Sequence, residues 1–249
     1  MAQLFSLVSI LAFAIVGTVV GWRIARLAKA TGQEPERWIA ICELSICMVG
    51  YPTLLIARAL PGYLPIVVTA IGVAAIDIGI AAIFFFTRCV FRPEGKALRR
   101  GVQAVVVLLA LHWLGATVAM VRGVLDGTEA SPSGGWTLFV AGISTLGFGW
   151  TAWESLAYWA VLRRRVPLGL ADPLVVNRVA LWGITGLSSM CINFVSARTA
   201  LTGINVLDDA PTMIVTGVLG TINTACLFLA FLPPVWLAAQ IRRRTPKPA

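Results

Sequence analysis

Charge is what this sequence has least of. Only 12% of its 249 residues are Asp, Glu, Lys or Arg, where a soluble domain carries about 25%. Hydrophobic residues make up 58%, and the mean hydropathy is +0.86. A surface this poor in charge is solvated by lipid, which excludes a water-soluble domain. Histidine is scarcer still. The single copy, His112, excludes a bis-His haem or a His-rich zinc centre built from this chain alone, so no metal and no cofactor is expected. Lysine occurs only at Lys29, Lys96 and Lys247, outside the apolar runs. Also missing are a Gly-rich phosphate loop, a His-Glu-x-x-His, a Gly-x-Ser-x-Gly and a Cys-x-x-Cys. With none of these, no catalytic residue is assigned and the chain is read as a non-enzyme. The five cysteines (Cys42, Cys47, Cys89, Cys191, Cys226) lie inside apolar runs or at their ends, so no disulfide framework follows.

What the chain does have is apolar runs of crossing length. They cover about residues 4–22, 38–60, 65–87, 101–121, 136–162, 173–197 and 211–241, and about 20 residues suffice to span a bilayer. The expectation is an all-α polytopic membrane protein: one domain over residues 1–249, with seven transmembrane helices in contact with the lipid bilayer. No cation precedes the first run, while Arg23, Arg26 and Lys29 follow it, the reverse of a signal peptide. Of the 20 cations, only Arg58, Arg122 and Arg198 fall on the opposite side from the rest. The positive-inside rule then predicts an outer N-terminus and a cytoplasmic C-terminus, in a cell membrane read as the bacterial inner membrane. The net charge of +9 is explained by this bias, and no nucleic-acid partner is expected. Pro233-Pro234 is predicted to kink the last helix or end its regular part, and Asp172-Pro173 reads as a helix start.

A faint internal repeat relates residues 1–90 to 136–241, with helix 101–121 as the linker. Pro65 precedes Asp77 by the same twelve residues as Pro211 precedes Asn223. Parallel repeats of this kind place a binding site at their interface.

An ionisable group inside a span needs a partner or a wet cavity, and Glu43, Asp77, His112 and Glu154 are such groups. The stretch from Trp150 to Gly183 is the densest polar text in the chain. It holds Glu154, the Arg163 to Arg165 cluster, and Asn177-Arg178. Glu43 and Glu154 have two readings. They make intramembrane ion pairs or switches with Arg178 or the cluster, or one of them, with Asp77, titrates or meets a cationic ligand. Asp77 and Asn223 form the expected midplane ligand site, together with His112, Asn193, Trp113 and Trp182. Arg58, Arg122 and Arg198 snorkel at outer helix ends or form a cationic vestibule.

Seven helices with an outer N-terminus are shared with the rhodopsins, but no lysine is available in helix seven for a retinal Schiff base. The topology is also similar to small sugar transporters of the SWEET type, which pair asparagines in helices three and seven. Asp77 and Asn223 would occupy those places, though that family's prolines in helices one, five and six are absent. The run from Gly169 to Gly183 (GLADPLVVNRVALWG), with Phe231-Leu-Pro-Pro234, resembles a pattern of bacterial seven-helix membrane proteins of uncharacterised function, and implies no activity. The expected function is a receptor-like sensor that binds a small ligand inside the bundle and signals to a separate cytoplasmic protein. The alternatives are a small-solute transporter, possibly proton-coupled, and a structural subunit of a membrane complex.

Overall fold

The computed structural model describes residues 2–126, 134–203 and 209–243. Most of the expected polar loop at 126–135 and the end of the basic tail lie outside these residues. All the regular structure among the described residues is helical.

Six helices are long and apolar enough to cross a membrane. Helix α1 is Ala2–Thr31. The second span, Glu34–Ala57, is built from α2 (Glu34–Glu43), a π-helical segment (Leu44–Gly50) and α3 (Tyr51–Ala57). Helices α4 (Leu64–Phe91), α5 (Lys96–Leu125), α7 (Pro173–Thr202) and α8 (Ala210–Phe231) supply the others. Helix α6 (Gly134–Arg165) is the longest at 32 residues. Its Gly, Ser, Thr and Trp residues leave it less apolar than the six. A short α9 (Val235–Arg243) follows α8.

Two departures from an unbroken helical reading have proline as their cause. Pro52 has no N–H to donate, and its ring crowds the preceding turn. The chain widens ahead of it into the π segment, where the Tyr51 amide bonds back to the Ile46 carbonyl. At the other end of the chain, Pro233-Pro234 stops α8, so the expected helix 211–241 is two helices. The expected helix start at Asp172 is present, with its carboxylate accepting the Leu174 amide at 2.8 Å.

The long elements form a closed ring in chain order. Helix α1 packs on α2 and α8, α2 on α4, α4 on α5 and α6, α6 on α7, and α7 on α8. Small residues set the closest approaches. A Cβ at Gly17 would lie 2.2 Å from Cys47 Sγ, and one at Gly186 would lie 3.0 Å from the Phe148 carbonyl. One end of the bundle carries Thr31, Glu34, Phe91, Lys96, Arg165, Pro173 and Phe231; the other carries Ala2, Ala57, Leu64, Leu125, Thr202 and Ala210. They are called here the Thr31 end and the Ala2 end. Among the described cations, only Arg58, Arg122 and Arg198 lie toward the Ala2 end.

The apolar core sits toward the Thr31 end. Val20, Ile24, Ile39, Ile80, Ile83, Phe84, Phe86 and Leu227 are all buried there around Trp182. The polar residues of the interior are gathered on the Ala2 side of this plug and beside it.

Candidate functional site

Helix α7 carries a polar stripe at helical spacing. Thr185, Ser189, Asn193 and Ser196 follow one another at intervals of four, four and three, which places them on one face. That face looks into a cavity of about 270 Å³ at the centre of the ring. Other helices contribute Ser9 and Phe13 from α1, Glu43 from α2, Tyr51 from α3, Ile76 from α4, Ser144 and Thr151 from α6, and Asn223 from α8. Helix α5 contributes nothing.

Four of the residues expected to form a site meet here: Glu43, Trp182, Asn193 and Asn223. Glu43 lies nine residues from the Thr31 end of its helix, Trp182 nine and Asn223 eight. They do not stand at one level: Trp182 packs on Phe231, the last residue of α8, whereas Asn223 bonds Ser189, seven residues further toward the Ala2 end of α7. Asn193 and Ser196 lie further toward the Ala2 end. The cavity is therefore elongated, with Trp182 toward its Thr31 end.

The lining is under-satisfied. Asn223 Nδ2 donates to Ser189 Oγ at 2.9 Å, but its Oδ1 has no hydrogen-bond partner among the described residues. The indole Nε1 of Trp182 has none either. Glu43 is 6% exposed and accepts one long contact from Cys47 Sγ at 3.7 Å. The described ion pairs are Arg92–Glu154, His112–Asp77 and Arg198–Asp209, so the Glu43 carboxylate is in none of them. Buried polar atoms are ordinarily satisfied, and three incompletely satisfied side chains on one cavity lining are what an occupant would complete. By contrast, Asn193 Nδ2 and the Thr185 hydroxyl each donate to a carbonyl of their own helix, leaving the second Asn193 amide hydrogen and both oxygens for other partners, and Thr151 Oγ1 is shared between the Gly147 carbonyl and Thr87 Oγ1.

The other expected site residues are elsewhere. Asp77 does not line the cavity, and so the expected Asp77–Asn223 site is not formed. Ile76 does line it, and one residue is about 100° of helix, which turns Asp77 toward α5. There its Oδ2 meets His112 Nδ1 at 2.8 Å, both side chains being about 5% exposed. His112 lies parallel to Phe139, with ring centroids 6.2 Å apart, and is edge-on to Trp136. Trp113 points outward, 39% exposed, donating its Nε1 to the Ala70 carbonyl at 2.9 Å. It borders an apolar groove on the outside of α4 and α5.

Glu154 and Arg178 are not partners. Arg92, at the C-terminal cap of α4, reaches Glu154 through Nε at 2.9 Å and Nη2 at 3.5 Å, and Trp150 Nε1 also donates to it. Arg178 donates Nε to the Ala230 carbonyl at 3.0 Å and lies over the Phe231 ring. At the Ala2 end, Arg198 is engaged by Asp209 at 3.5 Å and Thr212 at 3.2 Å. Its charge is thus answered, and the Thr212 hydroxyl, with Arg198, holds the Asp209 carboxyl below its usual range.

Sequence reasoning missed Ser189, Tyr51, Phe13 and Thr151 as cavity residues, and Arg92 as the partner of Glu154. The α7 stripe was the available signal, since four polar residues at helical spacing in an apolar run mark one wet face. Phe13 and Tyr51 carry no such mark. No family model, curated protein or solved structure matches the chain.

Proposed function

We propose that the chain is a receptor-like membrane sensor: a seven-span protein that binds a small molecule in its central cavity and reports this to a separate protein on the cytoplasmic side. In this reading α6 is the seventh span. Its length and its place in the ring between α4, α5 and α7 support that. The concentration of cations at the Thr31 end supports placing that end in the cytoplasm and the N-terminus outside. Location in a bacterial inner membrane is part of the same proposal.

The observation that carries the sensing role is the double engagement of Trp182. It lines the cavity, its Nε1 has no partner among the described residues, and it packs edge-on against both Phe86 and Phe231, at 5.6 Å between centroids. Phe231 is the last residue of α8, lies under the Arg178 guanidinium, and immediately precedes the Leu232 to Pro234 break and α9. A ligand that bonds Trp182 Nε1 or shifts the indole acts directly on the residue from which α9 departs. A two-state element biased by the ligand is what a sensor requires. Small-solute transport is the competing reading. A buried aromatic and aliphatic cluster packs around Trp182 toward the Thr31 end, which a sensor needs to keep and a transporter must open.

Reconstitution separates them. A sensor in proteoliposomes shows no saturable, gradient-driven flux across a panel of labelled small solutes, and cross-links to a cytoplasmic protein through the 163–178 segment and α9. Saturable flux that Glu43→Gln abolishes, with no such partner, overturns the sensor reading.

A further inference from the structure

Resting on the reading of the cavity as a ligand site, we infer that its ligand is a small organic ammonium ion carrying a hydrogen-bond acceptor at its other end. The lining holds one carboxylate, Glu43, and no Arg, Lys or His to neutralise it. Counter-charge inside a bundle normally comes from another buried side chain. Asp77, Glu154 and Asp209 each have one, and Glu43 alone among the ion-pair candidates faces the cavity without one. An ammonium group supplies both the charge and up to three donors.

The surroundings fit that group better than a metal ion or an anion. Asn223 Oδ1, on the same cavity lining and without a partner among the described residues, is an acceptor for a further N–H of the ligand. Among the described residues there is no group of three His, Cys, Asp or Glu placed to hold a metal ion. Four aromatic side chains, Phe13, Tyr51, Phe148 and Trp182, line the same space. Ring faces attract cations and pack on organic carbon alike. Trp182 Nε1 is a donor without an acceptor, and it assigns the ligand a hydroxyl or carbonyl oxygen. The cavity of about 270 Å³ holds about nine water-sized groups at roughly 30 Å³ each, which limits the ligand to a single ring or a short chain.

The test compares tyramine with tyrosol, which has the same ring, phenol and chain length but an alcohol in place of the amine. Binding of labelled tyramine to purified protein in nanodiscs is measured for the wild type, Glu43→Gln, Glu43→Asp and two cavity-filled variants, Ser189→Leu on α7 and Ser144→Leu on α6. The expected result is saturable tyramine binding to the wild type, with tyrosol competing about tenfold or more weakly. Glu43→Gln abolishes the preference, Glu43→Asp retains it, and whichever filled variant folds binds neither compound. Equal binding of the two compounds, unaffected by Glu43→Gln, overturns the ammonium assignment and leaves the cavity as a ligand site. Tyramine binding that survives both filled variants removes the site from the cavity and overturns both readings. The absence of tyramine binding to folded wild-type protein overturns the inference.

Discussion

Glu43 and Asp77 are both buried carboxylates on neighbouring elements, 6% and 5% exposed, yet the bundle treats them in opposite ways. Asp77 is turned away from the cavity, with Oδ2 closed against His112, Oδ1 without a partner among the described residues, and aromatic rings of α6 over the imidazole. Glu43 is turned into the cavity, with a distant thiol as its one hydrogen-bonding contact. The difference separates two uses of an expensive residue. A buried acid with a close, well-packed partner serves the fold, while one left facing open space serves whatever enters that space. The largest expected effect follows from the first half of this contrast. His112→Ala strands the Asp77 carboxylate in the α4–α5 interface and lowers stability by about 3–5 kcal/mol, read as a fall in the midpoint of unfolding in mixed micelles. Adding Asp77→Leu to it recovers most of the loss. A second substitution that deepens the loss instead would show that Asp77 has a partner beyond His112.

A smaller effect tests how Glu43 is held. Gly17 and Gly21 of α1 let the second span approach closely, and a Cβ at Gly17 would also lie 3.1 Å from Glu43 Oε2. Gly17→Val overpacks this crossing and costs about 1–3 kcal/mol. It also displaces the Glu43 side chain, so tyramine binding falls along with stability. Loss of stability with binding intact would place the carboxylate's working position away from α1.

The contrast between the two acids was only half legible in the sequence. Their burial was readable, because both lie inside apolar runs of crossing length. Their roles were not, because a role depends on which way a residue faces. Ile76 and Asp77 are adjacent in sequence and face different compartments. Without the packing partners of α4, nothing in the residues says which of the two meets the cavity. The matched spacing of Pro65–Asp77 and Pro211–Asn223 was real text, but it placed Asn223 on the cavity and Asp77 against α5. Local chemistry was more readable: the Asp172 cap and the break at Pro233-Pro234 follow from what those side chains can and cannot donate. Pro52 carried the same information for the π segment, which was read as unbroken helix. Glu154 and Arg178 are close in sequence but separated by a turn. Arg92, far away in the chain, reaches Glu154 because α4 and α6 are in contact at the Thr31 end.

That pair is a third kind of carboxylate and bounds the comparison from the weak side. The Arg92 side chain is 57% exposed and its Glu154 partner 13%, so water screens the attraction. Arg92→Ala costs about 0.2–1 kcal/mol, and raising the salt concentration erodes the wild-type advantage. A loss as large as that from His112→Ala would mean that Glu154 is as dependent on its partner as Asp77.

Glu43→Gln is expected to cost the least stability of all, and for that reason it is the most informative substitution. The amide keeps an oxygen to accept from Cys47 Sγ, nearly preserves volume at the α1 crossing, and removes a charge that no described ion pair compensates. No partner is stranded and a desolvated charge is removed, so Glu43→Gln leaves the empty protein no less stable than the wild type. Unfolding midpoints of wild type and Glu43→Gln, measured without ligand and again with saturating tyramine, expose the asymmetry. With the cavity empty Glu43→Gln melts no lower than the wild type, and tyramine raises the midpoint of the wild type alone, because only the wild type gains the linkage term of a bound ligand. If Glu43→Gln instead melts well below the wild type with the cavity empty, the carboxylate holds the bundle together. Glu43 would then belong with Asp77 rather than opposite it.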